Sequence, residues 1–144
     1  MEKKQLSSYS EEFNKLTPVS ERKAKGQYMT PKYVSDIAIK HLPVFVNAKV
    51  LDPAVGTGEL LRNLIDSSNV PLEVYGWDID KKILNYAEQN VPEATLTVHS
   101  MFEPLDSKWL NFFDIIIANP PYFELKKNQF DSKIWNVSSG RTNI

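Results

Sequence analysis

Hydrophobic residues in the middle of the chain follow two alternating spacings. Short runs rich in Val, Ile and Leu, bounded by turn formers or acids, predict β-strands. They lie at residues 48–51, 72–77, 95–99 and 114–118. Between the first three runs, at residues 58–65 and 80–89, apolar residues recur every three or four positions, which is the spacing of amphipathic helices.

This alternation predicts the fold class. Strands separated by single helices pair in parallel through right-handed crossovers. The nearly unbroken apolar run Ile115 to Ala118 suits a strand covered on both faces. We therefore predict an α/β fold with a doubly wound parallel sheet, in which ligands bind beyond the carboxyl ends of the strands.

Helices are also predicted before the first strand. Thr30 as N-cap and Pro31 as first helical residue open a helix that runs to Pro43. Its apolar positions are Val34, Ile37, Ala38, His41 and Leu42. The otherwise polar residues 1–25 contain the candidate anchors Tyr9, Phe13, Leu16 and Val19. They suggest a short helix ending at Thr17-Pro18, either as a docked arm or as a frayed terminus.

Composition narrows the possible functions. The chain has 144 residues, no Cys, and 17 Lys plus Arg against 18 Asp plus Glu. The length allows one domain with a substantial core, and the lack of Cys excludes thiolate metal sites and cysteine nucleophiles in these residues. A charge near zero indicates that nucleic-acid binding would need further segments. A polar N-terminus and the absence of a long apolar run predict a cytoplasmic protein.

Two strand ends carry carboxylates beside features of a nucleoside site. Asp52-Pro53-Ala54-Val55-Gly56-Thr57-Gly58 follows the first strand, and its glycines allow a tight turn and close backbone approach. Asp78 ends the second strand, where a carboxylate can accept ribose hydroxyls, while Asp80 suits the N-cap of the next helix. A phosphate-free, positively charged nucleoside, S-adenosylmethionine, fits these acids better than NAD does.

The fourth strand ends in the tetrapeptide Asn119-Pro120-Pro121-Tyr122. The prolines fix the backbone and offer carbonyls without competing amide donors. Asn119 adds a side-chain acceptor and Tyr122 a planar face. Together these groups suit a flat ligand that carries an amino group.

At these residues the sequence resembles a family, the N6-adenine DNA methyltransferases of restriction-modification systems, of the type I modification subunit and type IIG kind. The likeness runs from about Arg22 to Phe123. Gly26-Gln27-Tyr28-Met29-Thr30-Pro31 is similar to the upstream Gly-x-aromatic-x-Thr-Pro segment of that family. The tetrapeptide also occurs in N4-cytosine, RNA and protein-glutamine methyltransferases, so the upstream segment is what favours DNA.

The resemblance implies a Rossmann-like methyltransferase fold, S-adenosylmethionine as cofactor, and roles for individual residues. Asn119 and the Pro120 carbonyl would accept from the adenine N6 amine, with Pro121 and Tyr122 completing the catalytic motif and Tyr122 stacking on the flipped base. The cofactor would contact Tyr28, Thr30, Asp52, Ala54, Gly56, Gly58, Asp78 and Ile79. Ser100 stands where the family usually has Asp, and Met101 or Phe102 would cover the cofactor adenine.

The resemblance also implies a longer catalytic domain. The family's sheet has seven strands in the order 3-2-1-4-5-7-6, and four can be placed here. We therefore expect an N-terminal arm at 1–25, a partial methyltransferase core at 26–123 and a polar tail at 124–144. The fourth strand would then be an exposed edge prone to self-association, and DNA would be held by a missing recognition domain or a partner subunit.

Other features have structural interpretations. His41 and His99 lack metal-ligand partners at suitable spacing, so no metal site is predicted. The Lys residues 126, 127 and 133, like Arg22, Lys23 and Lys25, fit solvated surface better than a DNA contact. Two functional alternatives remain open: an inactive fragment that binds S-adenosylmethionine or a partner chain, and a methyltransferase that acts on protein glutamine or RNA.

Overall fold

Residues 6–121, which the computed structural model describes, form a four-stranded sheet with helices packed against it. Its strands are β1 (Ala48–Asp52), β2 (Leu72–Asp78), β3 (Thr95–Val98) and β4 (Ile115–Ile116). They lie in the order β3-β2-β1-β4, and every neighbouring pair is parallel. The predicted doubly wound α/β class and the 3-2-1-4 order are confirmed. The predicted tail, residues 124–144, lies outside the described residues.

Five helices lie within residues 6–121, and the last two connect β1 to β2 and β2 to β3, as the apolar spacing predicts. They are α1 (Ser8–Leu16), α2 (Val19–Ala24), α3 (Lys32–Ile39), α4 (Glu59–Ser67) and α5 (Lys81–Asn90). A 3₁₀ turn at Ser107–Trp109 precedes β4. None of the helices within residues 6–121 combines the length and apolarity needed to cross a bilayer.

The main core lies between the sheet and α4. In the sheet, Val50 of β1 stands opposite Val74 of β2 and Ile115 of β4, and all three are buried. Helix α4 covers them with Leu61 and Leu64, which follow its predicted apolar stripe.

The other face of the sheet carries an aromatic cluster. Phe113 lies 5.3 Å from Tyr75, 5.6 Å from Trp77 and 5.4 Å from Trp109 between ring centroids. Ile116 of β4 is nevertheless 63% exposed. Within the described residues the β4 run is therefore covered on one face only, and the predicted exposed edge is present. Self-association through it stays a prediction.

The N-terminal segment is a docked arm. Phe13 of α1 is fully buried, with its ring centroid 5.5 Å from that of Tyr86 on α5. Leu16 and Val19, which the sequence proposed as anchors, are 58% and 56% exposed. Leu16 is not an anchor because α1 turns its Phe13 side toward α5, and Val19 begins α2, which has no buried residue.

Helix α3 differs from its prediction at both ends. Pro31, not Thr30, is the N-cap, and no side chain caps the helix. The Thr30 hydroxyl is instead used by Asn119, described below. The helix ends at Ile39, and its buried residues are Ser35 and Ile39, whereas Ile37 is 71% exposed. Ser35 faces inward because its hydroxyl accepts a hydrogen bond from Asn63 of α4.

We expect Phe13→Ala to lower the free energy of unfolding by about 3–5 kcal/mol, because it leaves a cavity between α1 and α5. The matched control Leu16→Ala on the same helix should change it by less than about 0.5 kcal/mol, because Leu16 is exposed. Urea unfolding followed by circular dichroism measures both. Equal losses in the two variants would show that α1 does not dock through Phe13.

Candidate functional site

A cavity lies beyond the carboxyl ends of the strands, closed on one side by residues 25–30 of the N-terminal segment. It brings together most of the residues that the sequence singled out. Those lining it are Tyr28, Thr30, Asp52, Ala54, Gly56, Asp78, Ile79, Ser100, Met101, Asn119 and Pro121. Gly58 and Pro120 are not among the lining residues, and Tyr122 lies outside the described residues.

The loop after β1 depends on two glycines in left-handed conformations, Gly56 with φ 55° and Gly58 with φ 84°. Gly56 lines the cavity, so its backbone is open to a ligand. A Cβ on Gly58 would lie 2.7 Å from Cγ2 of Val91 and 3.7 Å from Cα of Ala87. Gly58 therefore serves the packing of the loop against α5 rather than the cavity surface.

Asp52 places a buried carboxyl at the end of β1. It is 2% exposed, and its Oδ1 accepts a hydrogen bond of 3.0 Å from the Ala54 amide. Burial raises the pKa of Asp52 to about 7, the nearby charge of Asp78 adds to the rise, and the Ala54 amide opposes it. A cation bound beside Asp52 would stabilise its ionised form.

Asp78 ties the end of β2 to the glycine loop. Its Oδ2 accepts from the Gly56 amide at 3.1 Å and its Oδ1 from the Asp80 amide at 2.9 Å. Burial raises the pKa of Asp78 despite these two bonds. Because Asp78 also lines the cavity, the strand end and the loop present one continuous wall to a ligand.

Asp80 is the N-cap of α5, as predicted: its Oδ1 accepts from the Lys82 amide at 2.9 Å. Its Oδ2 accepts from Lys25 Nζ at 2.9 Å and from Gln27 Nε2 at 3.0 Å. Burial acts to raise the pKa of Asp80, but the hydrogen bonds from Lys25 and Gln27 outweigh it, and the pKa is lowered. Asp80 therefore anchors the N-terminal segment and does not serve mainly as a ligand contact.

Thr30 and Asn119 join the upstream segment to the tetrapeptide. Asn119 Nδ2 donates to Thr30 Oγ1 at 3.0 Å, across 89 positions of the chain. Thr30 is buried, and both residues line the cavity. The bond fixes the amide with its NH2 toward Thr30, which leaves the carbonyl Oδ1 on the opposite branch.

The β3 end supplies the remaining wall. Ser100 Oγ accepts from the Phe102 amide at 3.2 Å, and Met101 lines the cavity beside it. Ile79, which also lines the cavity, is exposed and offers an apolar surface. The His99 ring packs edge-on against Trp77 at 4.7 Å, and His99 also lines the cavity, although the sequence indicated a structural role alone. Among residues 6–121, no cluster of His, Asp and Glu is suited to a metal ion.

Several lining residues were not predicted from the sequence as binding residues, among them Lys25, Gln27, Met29, Leu60 and Ile83. Gln27 and Met29 alternate with Tyr28 and Thr30 in the upstream segment, so the motif could have indicated that they also line the cavity. Lys25 is also paired with Glu21 at 3.1 Å, which agrees with its interpretation as surface. Leu60 and Ile83 fit the apolar spacing of their helices, so nothing in the sequence distinguished them as cavity residues.

Comparison with known proteins identifies relatives. A family model described as N-6 DNA Methylase matches residues 9–139. The Type II methyltransferase M.CvrRI of Paramecium bursaria Chlorella virus XZ-6E is 32% identical over 117 residues, which are 79% of this chain and 29% of that protein. The release factor glutamine methyltransferase of Haemophilus influenzae is 30% identical over 87 residues, 53% of this chain and 28% of that protein. The chain thus spans less than a third of either relative.

A solved structure confirms the fold. A putative class I S-adenosylmethionine-dependent methyltransferase from Listeria monocytogenes superposes with a TM-score of 0.63 at 20% identity, over 84% of this chain and 38% of that one. The predicted Rossmann-like architecture of S-adenosylmethionine-dependent methyltransferases is therefore confirmed.

The raised pKa of Asp52 predicts a pH-dependent stability. Between about pH 4 and pH 7 the unfolded chain has lost the Asp52 proton while the native protein keeps it, so the wild type should lose stability as the pH rises through that window. Asp52→Asn keeps an acceptor for the Ala54 amide but cannot ionise. The free energy of unfolding of the variant relative to wild type should therefore rise from pH 4 to pH 7 and level off above.

Urea unfolding at a series of pH values measures this difference. Glu88→Gln, an exposed carboxylate on α5, controls for the change in net charge. If the free energy of unfolding of Asp52→Asn differs from that of wild type by a constant amount from pH 4 to pH 8, the raised pKa of Asp52 is contradicted.

Proposed function

The chain belongs to the N-6 DNA methylase family, and from this membership we propose that it is the cofactor-binding and catalytic-motif portion of an adenine-specific DNA methyltransferase. In this proposal the complete enzyme transfers a methyl group from S-adenosylmethionine to adenine N6 within a restriction-modification system. The observation that carries the proposal is the hydrogen bond between Thr30 and Asn119, because it holds the first residue of the tetrapeptide at the cavity that Asp52 and Asp78 also line.

The residues of the cavity fit S-adenosylmethionine. Asp52 and Asp78 favour a ligand with a positive charge and hydroxyl groups, and Lys25, a cation on the wall, is already paired with Asp80. A ligand rich in phosphate is disfavoured by the same two carboxylates. When bound, the cofactor supplies a methyl group made electrophilic by its sulfonium.

Individual residues take the roles that the resemblance implies. Tyr28, Thr30 and Asp52 would hold the methionine end, and the backbone at Ala54 and Gly56 would cradle the middle. Asp78 would accept a ribose hydroxyl. The cofactor adenine would lie against a surface formed by Ile79, Ser100 and Met101.

Asn119 would act on the target amine. Its Oδ1 and the Pro120 carbonyl would both accept hydrogen bonds from the adenine N6 amine. The two acceptors would raise the electron density on the nitrogen and make it a better nucleophile toward the methyl group that the bound cofactor would supply, with no covalent bond to the enzyme. Thr30 is a positioning residue in this scheme, because its hydroxyl receives the amide NH2 and keeps donors away from the target amine.

Target adenine has to leave the DNA stack to reach this cavity, and Tyr122 would then stack on it. The net charge of −1 supplies no surplus for gripping phosphates. Of the basic residues near Gly26, Arg22 Nε donates to the Thr17 carbonyl at 3.3 Å and Lys25 is ion-paired. We propose that other segments or a partner subunit grip the DNA, and that the isolated chain binds cofactor without transferring methyl groups.

A second candidate is methylation of a protein glutamine. The likeness to the release factor glutamine methyltransferase favours it, and a glutamine side chain presents the same planar NH2 group to Asn119. The match to the N-6 DNA Methylase model over residues 9–139 favours DNA.

Calorimetric titration with S-adenosylmethionine tests the cofactor assignment on the chain itself. We expect binding by wild type and a dissociation constant raised about tenfold or more in Asp78→Asn, because a hydrogen bond to a charged group is lost. Asp66→Asn, an exposed carboxylate on α4, is the matched control and should bind like wild type. Absence of heat at millimolar cofactor would contradict the assignment.

The substrate is decided by where the methyl group arrives. With labelled cofactor, the complete enzyme should place label on adenine N6 of unmethylated DNA, as identified by mass spectrometry, and Asn119→Ala should abolish transfer while cofactor binding persists. Label on a glutamine side chain instead would favour the second candidate.

A further inference from the structure

Within the described part of the chain, only one end of the Gln27 side-chain amide has a hydrogen-bond partner. Its Nε2 donates to Asp80 Oδ2 at 3.0 Å, while its Oε1 is buried and has no hydrogen-bond partner among residues 6–121. Gln27 also lines the cavity, between Lys25 and Tyr28. A buried carbonyl that has lost water and gained no donor is unfavourable, so a ligand that brings a donor to it is favoured.

The orientation of this amide is determined by Asp80. Reversing the amide would set Gln27 Oε1 against the Asp80 carboxylate, which repels an acceptor. Lys25 and Gln27 both donate to the same oxygen of Asp80, and the Lys82 amide donates to the other. The NH2 end of Gln27 therefore faces Asp80, and the unpartnered Oε1 faces away from it.

The surroundings indicate what kind of donor is missing. Asp80 follows Asp78 by two residues, and the Asp80 amide donates to Asp78 Oδ1. Gln27 is thereby tied through Asp80 to Asp78, the carboxylate to which the proposed function gives the cofactor ribose, and Gln27 and Asp78 both line the cavity. Each oxygen of Asp78 already accepts one backbone amide. A ribose offers two adjacent hydroxyls, so a second acceptor beside Asp78 has a ligand group to match it.

We propose that Gln27 is a cofactor-binding residue whose Oε1 accepts a hydrogen bond from one ribose hydroxyl of S-adenosylmethionine, beside the hydroxyl accepted by Asp78. This rests on the proposed function, since it deepens the same site. Asp80 then has a role in binding without touching the ligand: it holds the Gln27 amide in the orientation that accepts.

The test is a cycle of protein and ligand changes measured by calorimetry. The ligands are S-adenosylhomocysteine and its 2′-deoxy and 3′-deoxy analogues, and the proteins are wild type and Gln27→Met, which keeps side-chain length but cannot hydrogen-bond. Gln27→Met should weaken binding of S-adenosylhomocysteine roughly fivefold. For one of the two deoxy analogues, wild type and variant should bind equally, because the hydroxyl that Gln27 contacts is already gone.

Lys25→Met is the matched control, because it removes the other side chain that donates to Asp80 and leaves Gln27 in place. Its effect should be the same for all three ligands. If Gln27→Met also weakens all three equally, Gln27 acts only through Asp80 and the inference is overturned. If wild type binds none of the ligands, the proposed function itself fails, which is a distinguishable result.

A measurement on wild type covers the case in which Gln27→Met does not fold. The ¹³C resonance of Gln27 Cδ should shift when S-adenosylhomocysteine is added, because its carbonyl gains a donor. One deoxy analogue should leave it unmoved. An unchanged resonance with S-adenosylhomocysteine bound would overturn the inference.

Discussion

The site depends on the hydrogen bonds of Thr57, a residue that lies between the two glycines of the loop after β1. Its hydroxyl contacts Ser10 Oγ of α1 and Met29 Sδ of the upstream segment, and its carbonyl accepts from Asn90 Nδ2 at the end of α5. Thr57 is 1% exposed, so water does not compete for these bonds. One buried residue thus joins the N-terminal arm, the glycine loop and α5, and without that junction the cavity would lose one of its walls.

The carboxylates of the site differ in whether they bind a ligand, hold the elements of the site together, or do both. Asp80 accepts from the α5 N-terminus and from the N-terminal segment, so it is an assembly residue. Asp78 joins β2 to the glycine loop and also lines the cavity, so it serves both purposes. Asp52 is deeply buried, and the rise in its pKa shows that the fold places a carboxyl where ionisation is costly. In the proposed function, a cationic cofactor offsets that cost.

Sequence reasoning succeeded where a local pattern and a general rule agree. Strand–helix alternation predicted the parallel sheet, the family resemblance implied its 3-2-1-4 order, and the residues read from the strand ends line one cavity because those ends meet at one edge of a parallel sheet. It failed where tertiary contacts decide. Thr30 looked like an N-cap, but its hydroxyl is used by Asn119, 89 positions away. Leu16 and Ile37 fit an apolar stripe and are exposed, whereas Ser10 and Ser35 are buried because each meets a polar partner on another element.

In the proposed function, residues 27–30, the glycine loop and the end of β2 form one cofactor site. Hydrogen exchange of backbone amides in the full chain, with and without S-adenosylmethionine, tests it most directly. The cofactor should slow exchange together in residues 27–30, 54–58 and 78–80. Slower exchange confined to 54–58 and 78–80, with residues 27–30 unchanged, would contradict it, because the N-terminal segment would then be a packing element and no part of the site.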